Sequence, residues 1–371
     1  MTIAMPLAGI TVLDFGQVYN GPYCGFLLAQ AGARVIKVES PRGEALRGGL
    51  DANANFPFAM LNGGKECITL NLKEEQGREL VKQLASHVDV VLENFSPGTM
   101  TGYGLGAEAL CAINPMLIYA SSTGFGDTGP YRDFTGMDIS LQAMSGVMSV
   151  TGDDTDPPMK AGVAFCDFLA GAHLYSGIVT ALYQRTQSGL GAVLDISMQD
   201  CVFPTLASQL GTYFKRGEQG PRTGNRHSGL ALAPYNVYPT KDGFVALMCF
   251  RDGHWRRLCD VMGQGQLKED ERFGKASARA ANMGEVDERV TQWTQNLNKA
   301  EVFAKAQAAG VICAPVQTLD DVVTDPHLHA RGTLTNLAED DLTQEGDTHA
   351  GSTLCFQTPL RFQNMTPPPA Q

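Results

Sequence analysis

The sequence has 371 residues, of which 43% are hydrophobic and 18% charged, with 41 glycines and 19 prolines. At roughly 150 residues per domain this predicts two to three domains, or one large α/β unit with an insertion, and it excludes a stapled mini-protein and a disordered chain. The net charge of −11, with 28 basic against 39 acidic residues and no run of five or more basic ones, provides no electrostatic footprint for nucleic acid.

The earliest elements follow a βαβ rhythm. Short apolar runs at Ile10 to Phe15, Arg34 to Glu39, Val88 to Leu92 and Met116 to Ser121 alternate with helical patterns at Gly25 to Ala31 and Glu74 to Ala85. Because the runs are apolar throughout, they predict strands buried on both faces of a parallel, doubly wound sheet, with ligands at the strands' carboxyl ends. Those ends carry residues 14–20, 39–42, 93–97 and 121–129. A long helix is predicted from Phe168 to Thr186, stopping at Ser188-Gly189-Leu190-Gly191, then a strand from Val193 to Ser197 and a helix to about Phe214. The polar, glycine-rich stretch that follows reads as a linker. Tyr235 to Phe250 predicts a hairpin turning at Lys241-Asp242-Gly243, and helical patterns start at Gly253, Val286 and Ala300. The expected organisation is a large N-terminal block over 1–200, a linker over 201–224, a small α+β domain over 225–310, and a return to the large domain over 311–371.

The nine cysteines are odd in number and lack CxxC spacing, which argues against a disulfide framework and for a reducing, cytoplasmic setting. Met1 to Pro6 carries no basic region followed by an apolar run, and no apolar stretch is expected to reach the ~18 to 20 residues that span a bilayer. No membrane partner is therefore expected. The histidines contain no HxxxH pair, so no metal site is expected. No GxSxG elbow occurs, and Lys65 lacks the surroundings of a phosphate loop.

Two features bear on chemistry. Gly124-Phe125-Gly126-Asp127-Thr128-Gly129 formally matches a dinucleotide fingerprint, but residues 130–134 intervene before any helix, so the loop reading is preferred. Asp167 falls in the first turn of the long helix. It reads either as an N-cap or as a nucleophile, kept ionised by the positive helix end, that attacks an activated acyl group. Asp138 opens the preceding helix in the same way and is expected to be structural.

The residues also carry a resemblance. The opening from Pro6 to Phe15, the Gly21-Pro22 turn, Gly32 to Gly43, and Val91 to Gly98 resemble the class III CoA-transferase family, which includes formyl-CoA transferase, carnitine CoA-transferase and α-methylacyl-CoA racemase. Gly162 to Asp167, Thr186 to Gln199 and Gly310 to Val316 extend it over essentially the whole chain. The resemblance implies a Rossmann-like large domain made from both chain ends, an inserted smaller α+β domain and an interlocked homodimer. It further implies that Asp167 carries CoA as an aspartyl thioester, through mixed anhydrides, from an acyl-CoA donor to a carboxylic acid acceptor. CoA is then a substrate, with no tightly bound cofactor. Its contacts are expected at Tyr19, Asn20, Ser40, Leu70, Asn71, Leu72, Lys73, Asn94, Phe95 and Ser96, and at Phe134, Thr135, Gly136 and Met137. Lys37, Arg42, Arg47, Lys65 and Lys73 are candidates for its phosphates.

Racemases of this family carry a His where Met137 stands and a Glu where Arg251 aligns. Without those bases the transferase reading is preferred over an acyl-CoA racemase or epimerase. The glycine run of the oxalate-handling transferases is not recognisable near Thr223 to Gly229, which lowers the weight of formate and oxalate. Arg226 and His227 read either as partners of a second carboxylate, which favours a dicarboxylic acceptor, or as exposed hinge charges.

Overall fold

The computed structural model describes residues 3–47, 55–336 and 354–365. It contains two compact units, one of residues 1–145, 162–204 and 325–371, the other of residues 146–161 and 205–324.

The first unit is built on β1 (Thr11–Asp14), β2 (Arg34–Glu39), β3 (Glu66–Thr69), β4 (Val90–Glu93), β5 (Ile118–Thr123) and β6 (Ala192–Ser197). They form one parallel sheet in the order β3-β2-β1-β4-β5-β6. The order reverses between β1 and β4, which makes the loops after these strands the expected place for a ligand. Strands β1, β4 and β5 are almost wholly buried, as expected from their non-alternating pattern. The edge strand β3 is mostly exposed and was not expected from the sequence.

The helices of this unit are α1 (Asn20–Gln30), α2 (Asn55–Asn62), α3 (Glu75–Ala85), α4 (Thr99–Gly102), α5 (Ala107–Ile113), α6 (Asp138–Met144), α7 (Phe165–Ser188) and α8 (Met198–Val202). Helix α7 is longer than expected and ends on Gly189 at φ +71°, a conformation that glycine adopts without strain. By length and composition it could cross a membrane, contrary to the expectation that no segment could. Its buried residues Leu174, Ile178, Ala181 and Leu182 pack in one cluster with Val12, Leu28 and Ile118, so its apolar face covers the sheet. A short antiparallel pair, β10 (Leu334–Asn336) with β11 (Leu354–Phe356), belongs to the same unit, and Phe356 packs on Phe26 of α1.

In the second unit α9 (Ala207–Arg216) occupies part of the stretch expected as linker. Segment 146–161, grouped with the large block in the sequence reading, belongs here: Asp153 bridges Thr223, and Arg222 donates to the carbonyls of Asp153 and Asp154. The hairpin β7 (Tyr235–Thr240) and β8 (Gly243–Met248) has the expected turn, and β9 (Ile312–Pro315) completes an antiparallel sheet. Helices α10 (Asp252–Val261), α11 (Ala276–Ala281), α12 (Met283–Thr294) and α13 (Lys299–Ala308) surround a core centred on Trp255, Leu258 and Phe273.

Candidate active site

The candidate site forms where α1 and α7 meet at the carboxyl end of β1. Gly171 of α7 allows the approach: a Cβ there would lie 2.7 Å from the Asn20 carbonyl oxygen and 3.1 Å from the Tyr23 ring. Asp167, one turn earlier, is therefore brought beside the start of α1. Phe168 stacks on Tyr19 with ring centroids 5.9 Å apart and meets Tyr23 edge-on at 4.9 Å.

Asp167 is the third residue of α7, not its N-cap. Ala164 occupies the cap position and has no side-chain oxygen. The vacant role falls to Asp138, whose Oδ2 accepts the Cys166 N–H at 2.9 Å, while its Oδ1 accepts from Gln142 Nε2. Asp138 is thus structural, as expected, and it satisfies one of the donors that a helix start leaves unpaired. The Asp167 carboxylate accepts no hydrogen bond among the described residues. Burial, reinforced by the negative charge of Asp138, pushes its pKa up to about 7. Burial and Asp138 thus both act against the ionisation that the positive helix end was expected to favour.

The residues expected at CoA fall into several groups. Tyr19 is half-buried in the aromatic cluster, and Asn20 is buried with its amide donating to Ser122 Oγ at 2.8 Å. Asn94 uses both side-chain atoms on the backbone of Gln17, at 2.7 and 3.0 Å. Ser40 closes the turn after β2 by donating to the Gly43 carbonyl. Leu70 and Leu72 pack on the core below the sheet, Asn71 Oδ1 accepts the Lys73 N–H, and Lys73 is exposed. Phe95 and Ser96 line a cavity of about 110 Å³ together with Glu93, Tyr119, Ser121 and Asp127. Burial pushes the Glu93 carboxyl up. The cavity is smaller than the roughly 300 Å³ of sites that enclose drug-sized ligands, so it has room for only part of a CoA molecule.

Phe134, Thr135, Gly136 and Met137 form an exposed approach to α6, with the Phe134 ring stacked on Tyr131. Here the glycine loop finds its explanation. Gly124 and Gly136 pack backbone to backbone, a Cβ on either lying 3.1 Å from the other's Cα, and no helix opens before Asp138. The loop does not have the strand-to-helix geometry of a dinucleotide fingerprint.

Several candidate cations are already engaged. Lys65 is fully buried and donates to Asp14 Oδ2, the Pro22 carbonyl and Asn62 Oδ1. Lys37 is fully buried on the Gly16 carbonyl, and Arg47 is paired with Glu39. Arg42 and Lys73 are exposed. In the second unit Arg226 donates through Nε and Nη2 to Asp287 Oδ2, which also accepts from Asn236, while Tyr238 donates to Oδ1. Its guanidinium is paired within this cluster, which weighs against the candidate role at a substrate carboxylate. The sequence reading missed Gly171 and the capping function of Asp138, because neither has a local signal; each acts on a residue far away in the chain.

A doubly wound parallel sheet with a half-buried carboxylate beside the loop after β1, where the strand order reverses, has the organisation of an α/β enzyme. Residues 7–370 match the sequence profile of CoA-transferase family III, and the chain belongs to this family. It is 38% identical to a succinate–glutarate CoA-transferase of Agrobacterium fabrum, over 98% of this chain and 92% of the relative. It is 37% identical to a succinyl-CoA–D-citramalate CoA-transferase of Chloroflexus aurantiacus, over 91% and 85%. A CAIB/BAIF family protein from Brucella suis superposes with a TM-score of 0.85 at 36% identity, covering 99% of this chain and 95% of that one. The chain is a class III CoA-transferase, with CoA thioesters as substrates.

Proposed function

We propose that the chain moves CoA from succinyl-CoA to a small dicarboxylic acid, with Asp167 as the covalent carrier. The observation that carries this reading is the division of labour at the start of α7: Asp138 supplies the cap, leaving the Asp167 carboxylate without a hydrogen bond among the described residues. Relatives named for succinate, glutarate and D-citramalate support the substrate class.

In the proposed sequence an Asp167 oxygen attacks the thioester carbon, the C–S bond breaks, and CoA leaves as thiolate. The thiolate attacks the Asp167 carbonyl of the anhydride, releasing the donor acid and leaving an aspartyl-CoA thioester. The acceptor carboxylate then displaces the thiolate to form a second anhydride, and the thiolate takes the new acyl group, freeing Asp167. No net proton, ATP or metal enters the balance. Holding the thiolate next to the anhydride makes the uphill step intramolecular. A racemase reading lacks support, since Met137 stands where the second base would be and cannot move a proton. The homodimer implied by the resemblance and the cytoplasmic location expected from the cysteines belong to the same proposal.

The test is intact-protein mass spectrometry of wild type and Asp167→Ala after incubation with succinyl-CoA, with and without borohydride. The reading requires a CoA-sized, borohydride-sensitive adduct on wild type alone. Deuterium entering the acyl α-position without an adduct would replace it with racemisation.

A further inference from the structure

Between β1 and α1, residues 15–19 form a loop whose three central residues, Gly16, Gln17 and Val18, are held by side chains. Asp14 Oδ1 accepts the Gly16 N–H at 2.6 Å, and Lys37 Nζ donates to the Gly16 carbonyl at 2.7 Å. Asn94 takes both the N–H and the carbonyl of Gln17. The N–H of Val18 donates to Glu44 Oε1 at 3.0 Å. Three of these clamps stand on or directly after strands of the sheet. Glu44 stands on the loop after β2 and is itself held, its N–H donating to Glu39 Oε2 at 3.1 Å, with Glu39 paired to Arg47.

The loop needs such clamps because Val18 has φ +62°, in the left-handed region. A β-branched residue there is strained and persists only where its surroundings over-determine it. Glu44 is itself an expensive clamp. It is buried, and its second oxygen, Oε2, has no hydrogen-bond partner among the described residues. An apolar side chain would cost less to bury at this position, but it could not accept the Val18 N–H.

The residues directly after Val18 are those that touch α7. The Tyr19 ring stacks on Phe168, next to Asp167, and the Asn20 carbonyl presses on Gly171, one turn further on. We infer that Glu44 is a positioning residue for Asp167: by holding the strained Val18 turn it fixes Tyr19 and Asn20 against the first turns of α7, and so sets where the reacting carboxylate stands. The inference rests on the reading of Asp167 as the nucleophile.

The test compares wild type, Glu44→Gln, Glu44→Ala and Glu44→Ala/Val18→Gly by two readouts: the single-turnover rate of adduct formation with succinyl-CoA, and amide hydrogen exchange over residues 165–171. Glutamine keeps the Oε1 acceptor, so Glu44→Gln should stay within about threefold of wild type. Glu44→Ala should slow adduct formation about tenfold or more and speed exchange at the start of α7. Glycine adopts positive φ without strain, so Val18→Gly should restore most of both losses. The inference is overturned if folded Glu44→Ala matches wild type in both readouts, or if the double variant is no better than Glu44→Ala. Exchange does not depend on the chemistry. A wild type that forms no adduct would therefore sink the nucleophile reading alone, while exchange in the variants would still decide whether Glu44 positions α7.

Discussion

Asp138 and Asp167 are coupled in two opposite senses. The Asp138 carboxylate binds the Cys166 N–H at 2.9 Å and so holds the helix start on which Asp167 stands. The same negative charge adds to burial in pushing Asp167 up to about 7. One residue thus builds the site and also makes its carboxylate harder to ionise, so activity at neutral pH depends on how these effects balance.

The first prediction concerns this balance. If ionised Asp167 attacks the thioester, kcat/KM for succinyl-CoA should rise with pH through an acid limb near 7 in wild type. In Asp138→Asn the like charge is gone while burial, the larger cause, persists. The limb should move to lower pH yet stay above the ordinary carboxylate range. Asparagine keeps one acceptor for the Cys166 N–H but loses the one that Gln142 Nε2 uses, with a stability loss of about 1 kcal/mol. A pH–rate profile showing no movement of the limb would remove Asp138 from the electrostatics of the site.

The second prediction is read in stability. A carboxyl whose folded pKa lies above its unfolded value binds more protons folded than unfolded, so stability falls as pH rises from about 4 toward 7 and levels off above that. Asp167→Asn has no such charge to bury. Its denaturation midpoint should be close to that of wild type at pH 4 and higher at pH 8, a difference that urea titrations at the two pH values would measure.

Helix packing gives the third prediction. In Gly171→Ala the new methyl group would sit 2.7 Å from the Asn20 carbonyl oxygen, which belongs to backbone and cannot rotate away. The helices must separate, at a cost of about 1–3 kcal/mol. Adduct formation should slow in protein that is still folded, because the same contact places Asp167. Gly162→Ala is the control, since no atom lies within 4 Å of a Cβ at that position.

What was legible in the sequence followed burial. Strands β1, β2, β4 and β5 showed as largely apolar, non-alternating runs because they are covered on both faces, whereas β3, an exposed edge with the residues Glu66, Cys67, Ile68 and Thr69, had no such pattern. The hairpin at Lys241 to Gly243 was legible because its turn chemistry is local. Asp167 was found by its place at a helix start, and the family resemblance by runs such as Val91 to Gly98. The partner that caps its helix lies 28 residues before Cys166, and nothing in the Asp138 neighbourhood announces it. Val18 likewise carries no mark of its positive φ, since valine is the residue type least expected there. The ion pair of Arg226 has no local signal for the same reason: its partner Asp287 is 61 residues distant.

That pairing gives the fourth prediction. Asp287 holds Arg226, Asn236 and Tyr238 together within the second unit. Arg226→Ala should lower stability by about 1–3 kcal/mol, since Asp287 keeps its other two partners. The ratio of kcat/KM values for dicarboxylic against monocarboxylic acceptors should not change. A change in that ratio would return Arg226 to substrate recognition.

The fifth prediction addresses the buried pair beneath α1. Lys65 and Asp14 have fully buried side chains 2.8 Å apart, and Gly25 leaves them room, because a Cβ there would lie 2.4 Å from Asp14 Oδ2. Burial pulls the Lys65 pKa down, and the Asp14 charge opposes that shift. Lys65→Met strands an ionised carboxylate whose remaining contact is the Gly16 N–H, and should cost about 3–5 kcal/mol. Asp14→Asn/Lys65→Met leaves no charge to bury and keeps an acceptor for Gly16, so it should recover most of that loss. A double-mutant cycle on denaturation midpoints separates the pair's coupling from the packing of its alkyl stem. If the double variant is as unstable as Lys65→Met, the pair is held by packing instead of charge, and the Asp14 clamp on the Gly16 to Val18 loop is worth less than its 2.6 Å geometry suggests.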